Sequence, residues 1–190
     1  MSFAAVALGS FIPAGLADQE AGNFAHVAAG PSGRCYAKSV PRHVYDPEGE
    51  IRQQGRTEVY RATDRQDVLV SEYDWFSQQL FLSCGAAEGI TVVRMGPWQR
   101  GHVPEPEHLA LAFYRDGKLL KRYSTLEIAG GDPENVAASV SHYSVFQSWP
   151  EPVSVTTASG VVFTETWTIR ATTIDGRSLV FDMATGERLP

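Results

Sequence analysis

The sequence predicts an all-β protein, on three observations. A strand-turn-strand signature occurs twice, over residues 109–123 and 168–182, each with an Asp-Gly pair (Asp116-Gly117 and Asp175-Gly176) between runs rich in apolar and β-branched residues. A tight hairpin turn needs positive φ, which glycine adopts freely and aspartate tolerates. Between and before these signatures, short apolar runs follow one another at close spacing with turn residues between them, the pattern of antiparallel meanders. Helical character is confined to one short segment. The expected architecture is a single antiparallel β sandwich or barrel-like meander with at most one or two short helices. A partial β-propeller-like stack is the alternative, although the Asp-Gly turns lie 59 residues apart (175 − 116) and Glu88-Gly89 only 28 before the first (116 − 88). Regular propeller blades repeat at roughly 40 to 45 residues.

Residues 1–17 carry no charged side chain and end in Ala14-Gly-Leu-Ala17 just before Asp18, which reads as the apolar region and small-residue cleavage site of a secretory signal peptide, though without a basic start. A periplasmic or secreted location is expected from it. The segment is interrupted by Gly9, Pro13 and Gly15 and falls short of the roughly 20 apolar residues of a membrane span. Residues 18–33 are rich in small residues without periodicity and read as a flexible arm. Residues 34–190 are expected to form a single β domain.

Within that domain the first strand runs from Arg34 to Val40, and Pro41 to Gln54, with two prolines and a glycine, reads as a connecting loop. Strands are then expected over Arg56–Ala62, Val68–Trp75, Gln79–Cys84 and Ile90–Met95. Gly96 to His108 is irregular because of its prolines and glycines. The first Asp-Gly hairpin follows. Thr125 to Val136 is the main candidate for helix: Thr125-Leu-Glu can open a turn, and Asp132-Pro133-Glu134 pairs an N-cap residue with proline at the first helical position. Ser139 to Trp149 reads as a strand, Pro150 to Pro152 as a break, and Val161 to Ile174 as a long strand paired through the second Asp-Gly turn with Ser178 to Met183.

The chain has two cysteines, Cys35 and Cys84, at the ends of different expected strands. In an oxidising compartment such a pair forms a disulfide closing a loop of about 50 residues, worth roughly 3 to 4 kcal/mol through its constraint on the unfolded chain. The other possibility is two unrelated buried thiols. Neither has the CxxC spacing of a redox or zinc motif. A net charge of −6, from 22 acidic against 16 basic residues, argues against a protein that works by neutralising nucleic-acid phosphates. Arg115, Lys118, Lys121 and Arg122 cluster on one hairpin, where they mark a solvated edge that resists strand pairing.

The motifs of nucleophile elbows, phosphate loops, zincins and dinucleotide sites are missing from the sequence. His102 and His108 share a loop with Glu105 and Glu107, but hydration is the ordinary state of such residues; no cofactor or metal is expected. Ser141 and His142, if adjacent on one strand, point to opposite faces and do not pair as nucleophile and base. On balance the chain reads as non-catalytic. The aromatic residues offer more. Trp75, Trp98, Tyr143 and Trp149 lie near strand ends and in the proline-rich connection, from which a flat ring can stack on a sugar or anchor a protein partner; the competing role is to cover the ends of the core.

The run Ala112-Phe-Tyr-Arg-Asp-Gly-Lys, followed by Lys121-Arg-Tyr-Ser124 and Ser139-Val-Ser-His-Tyr143, resembles a group of uncharacterised exported bacterial β-repeat (propeller-like) proteins in which an AFYxDGK hairpin leads into a YS strand end. The match covers about a quarter of the chain; it implies export and β architecture and transfers no catalytic residue. The function expected is binding of another envelope or extracellular protein through a sheet edge or aromatic patch. A small-molecule or glycan-binding module built on the tryptophans is the alternative, and a hydrolase or metal enzyme the third.

Overall fold

The computed structural model describes residues 24–44, 51–53, 55–85, 89–97, 99–159 and 162–190. The segment expected to be a signal peptide lies outside them. Antiparallel sheets account for nearly all the regular structure, so the all-β expectation holds. In the first sheet, β1 (His26–Ala29), β2 (Cys35–Val40), β5 (Arg56–Arg61) and β6 (Val68–Tyr73) lie in that order, with a two-stranded ribbon of β3 (His43–Val44) and β4 (Ile51–Gln53) inserted between β2 and β5. The second contains β7 (Leu80–Gly85), β8 (Gly89–Met95), β10 (Leu109–Arg115) and β11 (Lys118–Ser124), again in chain order; β9 (Gln99–Arg100) leaves to join β13 (His142–Ser144) and β12 (Ala137–Ala138). The last sheet is β14 (Glu151–Ser159), β15 (Val162–Thr172), β16 (Ser178–Asp182) and β17 (Arg188–Leu189). None of these described sheets closes into a barrel.

The three four-stranded sheets stack face to face in chain order, and the side-chain pattern of β8 shows why. Side chains alternate between faces along a strand. Ile90 and Val92 join Leu80 and Leu82 of β7 against Cys35, Ala37, Val59 and Tyr73 of the first sheet. Val93 and Met95 project the other way and join Leu111 and Phe113 of β10 against Ile169, Ala171, Leu179 and Phe181 of the last sheet. The second sheet is therefore the middle layer, apolar on both faces, and its two central strands, β8 and β10, read as near-continuous hydrophobic runs. Phe113 sits 5.8 Å from Phe181 between ring centroids, with Tyr123 closing the group at 4.8 Å from Phe181.

A buried polar chain joins the first two layers at the turn between them. Ser39 Oγ and Thr57 Oγ1 share a hydrogen bond of 2.9 Å, Thr57 donates to the Trp75 carbonyl, and the Ser77 amide donates to Ser39 Oγ. Ser77 Oγ lies 2.8 Å from the carbonyls of both Gln79 and Met95. Since Ser39, Thr57 and Ser77 are all buried, each hydroxyl needs these partners to offset its desolvation. The Cys35–Cys84 disulfide, with Cα atoms 6.0 Å apart, adds a covalent link between β2 and β7. Gly30 passes directly over it: a Cβ there would fall on Cys84 Sγ and 3.2 Å from Cys35 Sγ.

Several local expectations change. Residues 24–33, read as part of an arm, contain β1, which pairs with β2 over four residues; a strand this short, with Ala28 as its core-facing residue, has no readable periodicity. The loop from Pro41 to Gln54 contains β3 and β4. Pro150–Pro152, read as a break, opens β14, where Pro152 is tolerated because β14 is an edge strand paired only with β15. Ser139–Trp149 is not one strand: Ser144 Oγ bonds the amide and carbonyl of Phe146 and ends β13 after three residues. The helix α1 (Thr125–Ile128) does start where expected, with Ser124 and Glu127 forming a capping box. Asp132-Pro133 starts none; Asp132 Oδ1 instead accepts from the Glu134 amide in a turn.

The two Asp-Gly turns also differ. Asp116 and Gly117 have φ of 46° and 84°, the tight hairpin geometry expected, with Arg115 opposite Lys118. At the second, only Gly176 has positive φ, and residues 173–177 form a wider loop between Thr172 and Ser178. Asp175 there is held by the Arg177 guanidinium and the Thr173 hydroxyl, which together pull its carboxyl below the ordinary aspartate range. A depressed folded-state pKa contributes stability above the unfolded value that is lost as pH falls through the folded one. Asp175→Asn should thus lower Tm at neutral pH, with the difference from wild type shrinking as the pH drops through and below the ordinary aspartate range in a pH series of thermal melts. Phe113→Ala, which empties the contact between the middle and last sheets, should cost about 3–5 kcal/mol in denaturant unfolding.

Candidate functional site

Two of the aromatic residues singled out in the sequence, Trp75 and Tyr143, lie on opposite faces of the middle sheet. Trp75 follows β6 and folds into the seam between the first and second sheets, stacked on Tyr73 at 4.7 Å and beside Tyr114 at 5.5 Å. The Arg94 guanidinium covers it, 4.6 Å from the ring centroid, a cation–π contact strengthened by its desolvation. Burial pulls the Arg94 pKa below its ordinary value and pushes that of Tyr73 up. Trp75 is thus core cement on the face of the middle sheet that meets the first.

Tyr143 belongs to the opposite face. Its ring is only 2% exposed, and its hydroxyl lies 2.7 Å from His108 Nδ1 and 2.9 Å from Thr125 Oγ1. Thr125 in turn donates to the Glu105 carbonyl, and His108 Nε2 is 3.6 Å from the Glu105 carboxylate. Desolvation pushes the Tyr143 phenol above its ordinary pKa. The group ties the proline-rich connection to the first turn of α1 and to β13. A shallow cleft beside it, bordered by Met95, Gly96, Leu109, Ser144 and Phe146, leaves ≈ 20 Å³ for the centre of a water molecule, space for about one water. A sugar ring does not fit, and Tyr143 offers no stacking face. Trp149 is 39% exposed, and Trp98 lies outside the described residues.

Ser141 and His142 depart from expectation in an instructive way. Ser141 precedes β13 instead of lying on it, so the alternation rule does not apply, and its Oγ reaches His142 Nδ1 at 2.8 Å. No carboxylate is bonded to this histidine among the described residues, so the third member that would orient a base is missing. His102 Nε2 lies against the Val140 carbonyl. Among the described residues no three His, Cys, Asp or Glu side chains converge as metal ligands.

The surface left open is the outer face of the first sheet. Ala37 and Val59 are buried against the middle sheet, so their strand neighbours face outward. The register aligns Ala29, Tyr36, Tyr60 and Leu69 in one row across all four strands, and Val27, Lys38, Glu58 and Glu72 in the next. The rings of Tyr36 and Tyr60 stack at 5.1 Å with 15° between planes. Their hydroxyls donate to Asp67 and Glu58, and those carboxylates raise both phenol pKa values. This row ends at β6, an edge strand on which Val68 and Leu69 are 53% and 49% exposed.

No lysine, arginine or proline guards Val68–Tyr73. By contrast β11, the outer edge of the middle sheet, carries Lys118, Lys121 and Arg122, and Lys121 bridges to Glu187 at 3.2 Å. Basic residues of this kind discourage pairing with a further strand. Neither tyrosine nor the unguarded edge was picked out in the sequence; only a four-strand register reveals the row.

Comparison of the chain with protein-family models, with curated proteins and with solved structures finds no match in any of the three. Tyr143→Phe, which removes the shared hydroxyl from His108 and Thr125, should cost about 0.5–1.5 kcal/mol in denaturant unfolding, the net worth of an ordinary hydrogen bond, because Thr125 Oγ1 keeps its two bonds to the Glu105 backbone; an unchanged midpoint would show that water replaces the hydroxyl.

Proposed function

We propose that this chain is an extracytoplasmic binding module that docks an extended strand of another envelope or extracellular protein against the β6 edge. The observation that supports it most directly is the β6 edge, which has no lysine, arginine or proline, at the end of the Tyr36–Tyr60–Leu69 row. An open edge offers unpaired N–H and C=O groups in register, and side-chain pockets on alternate positions then select the partner. The electrostatics favour a strand with a basic residue. Glu58 and Glu72 are directly opposite each other in the register, an unfavourable like-charge pair, and Arg56, 3.6 Å from Glu58, is its ion-pair partner. A lysine or arginine brought alongside Glu72 would relieve that repulsion.

The Cys35–Cys84 disulfide fits a periplasmic or secreted setting, and no helix among the described residues is long and apolar enough to cross a membrane. The glycan-binding alternative is weaker because Trp75 and Tyr143 are committed to packing.

Full-length protein carrying Val68→Lys and Leu69→Lys should remain folded, since exposed substitutions usually change stability by about 0.5 kcal/mol or less. In pull-downs from envelope or culture extract it should lose a saturable partner by roughly tenfold or more, a change of about 1.4 kcal/mol. Leu119→Lys with Leu120→Lys, on the guarded edge, should leave capture unchanged. Equal capture by both variants, or no saturable partner for the wild-type chain, would discard the proposal.

A further inference from the structure

A cavity of ≈ 130 Å³ opens where the ends of β2 and β5 meet the β7–β8 hairpin, lined by Arg34, Arg61, Ala62, Cys84, Gly85 and Ile90. The two members of the disulfide differ in how they meet it. Cys35 is fully buried, whereas Cys84 is half-buried and lines the cavity wall. On another side the Gly30 backbone lies against both sulfurs, whereas the cavity reaches Cys84 directly.

Two arginines stand on the wall, with the Asp116 carboxylate bonded to the Ile90 amide nearby. Arg34 and Arg61 are both exposed, and neither guanidinium has an ion-pair partner among the described residues, in a chain whose net charge is −6. Arg61 is the direct cross-strand partner of Cys35, so their side chains leave the same face of the first sheet.

We propose that this cavity is the entry port for a small anionic thiol, which exchanges with the disulfide at Cys84. The incoming thiolate attacks Cys84 Sγ and forms a new S–S bond to it. The Cys84–Cys35 bond breaks, its electron pair leaves on Cys35 Sγ, and solvent protonates the resulting thiolate. The entering sulfur rises from the thiolate to the disulfide oxidation level as Cys35 falls from the disulfide to the thiolate level, so no further redox partner is needed. Arg34 and Arg61 serve each stage: they concentrate the anion, hold it as the thiolate, and stabilise the negative charge that develops on Cys35, which speeds departure of that sulfur. The product is a protein thiolated at Cys84 and freed of the covalent tie between its first and middle sheets. This site is separate from the β6 edge.

The test compares two thiols of opposite charge on the oxidised full-length protein, 2-mercaptoethanesulfonate and cysteamine, at matched thiolate concentration and low ionic strength, with adduct formation followed by intact-mass spectrometry. The anionic thiol should react faster by roughly tenfold, the low end of electrostatic focusing by a charged cleft. That preference should vanish in Arg34→Gln/Arg61→Gln, and should shrink in 0.5 M salt, where the Debye length falls to about 4 Å. Peptide mapping should place the adduct on Cys84. Equal rates for the two thiols in wild-type protein, a preference that survives the double substitution, or an adduct on Cys35 would each overturn the proposal. Because the salt series uses unaltered protein, it decides the matter even where the variant folds poorly.

Discussion

The whole arrangement depends on the middle sheet having two apolar faces. Every side chain of β8 from Ile90 to Met95 is either buried or, for Arg94, packed over a tryptophan. A sheet covered on one side alone would leave Ile90 and Val92, or Val93 and Met95, in water. Burial of apolar area is the dominant favourable term in folding, so the first and last sheets are recruited to the two faces. The disulfide and the Ser39–Thr57–Ser77 hydrogen bonds then fix the first sheet in place without supplying the driving force.

That constraint decides where binding can occur. Aromatic residues near the middle sheet are consumed as filler, Trp75 on one face and Tyr143 on the other, and their polar atoms are drawn into local networks. The outer face of the first sheet has no such obligation. Tyr36 and Tyr60 stack on each other there and stay at the surface, and the row they belong to runs out at an edge that lacks the basic residues seen on β11. The seam cavity at Cys84 lies in the same layering, between the ends of β2 and β5 in the first sheet and the paired ends of β7 and β8 in the second.

Features set by local chemistry were legible in the sequence. Asp116-Gly117 formed the expected hairpin because its residues alone allow positive φ at both turn positions, and α1 began at the Ser124–Glu127 capping box because that contact spans three residues. The run from Ile90 to Met95 was visible as a strand. Where a side-chain bond or a sheet partner had a say, the reading shifted. Asp175 did not repeat the geometry of Asp116 because Arg177 and Thr173 bind its side chain. Pro152 did not break the chain because β14 needs hydrogen bonds on one side only. Ser141 and His142 met because Ser139 Oγ bonds the amide and carbonyl of His142 in a turn that starts β13 at His142 and leaves Ser141 outside the strand.

The candidate site was less legible than the fold. Trp75, Tyr143 and Trp149 were chosen for their residue types, and residue type carries no information about which face of which layer a ring will occupy. By itself the sequence determined the all-β class, most of the strands, the first hairpin and the two cysteines available for a bridge, because these follow from periodicity, turn chemistry and composition within a few residues. Only the tertiary structure decided that Cys35 and Cys84 are joined, that the second sheet lies in the middle, that Tyr36 and Tyr60 align with Leu69, and that β6 is an edge strand of the described sheet. Each of those is a relation between segments far apart in the chain, set by which faces must be buried against which.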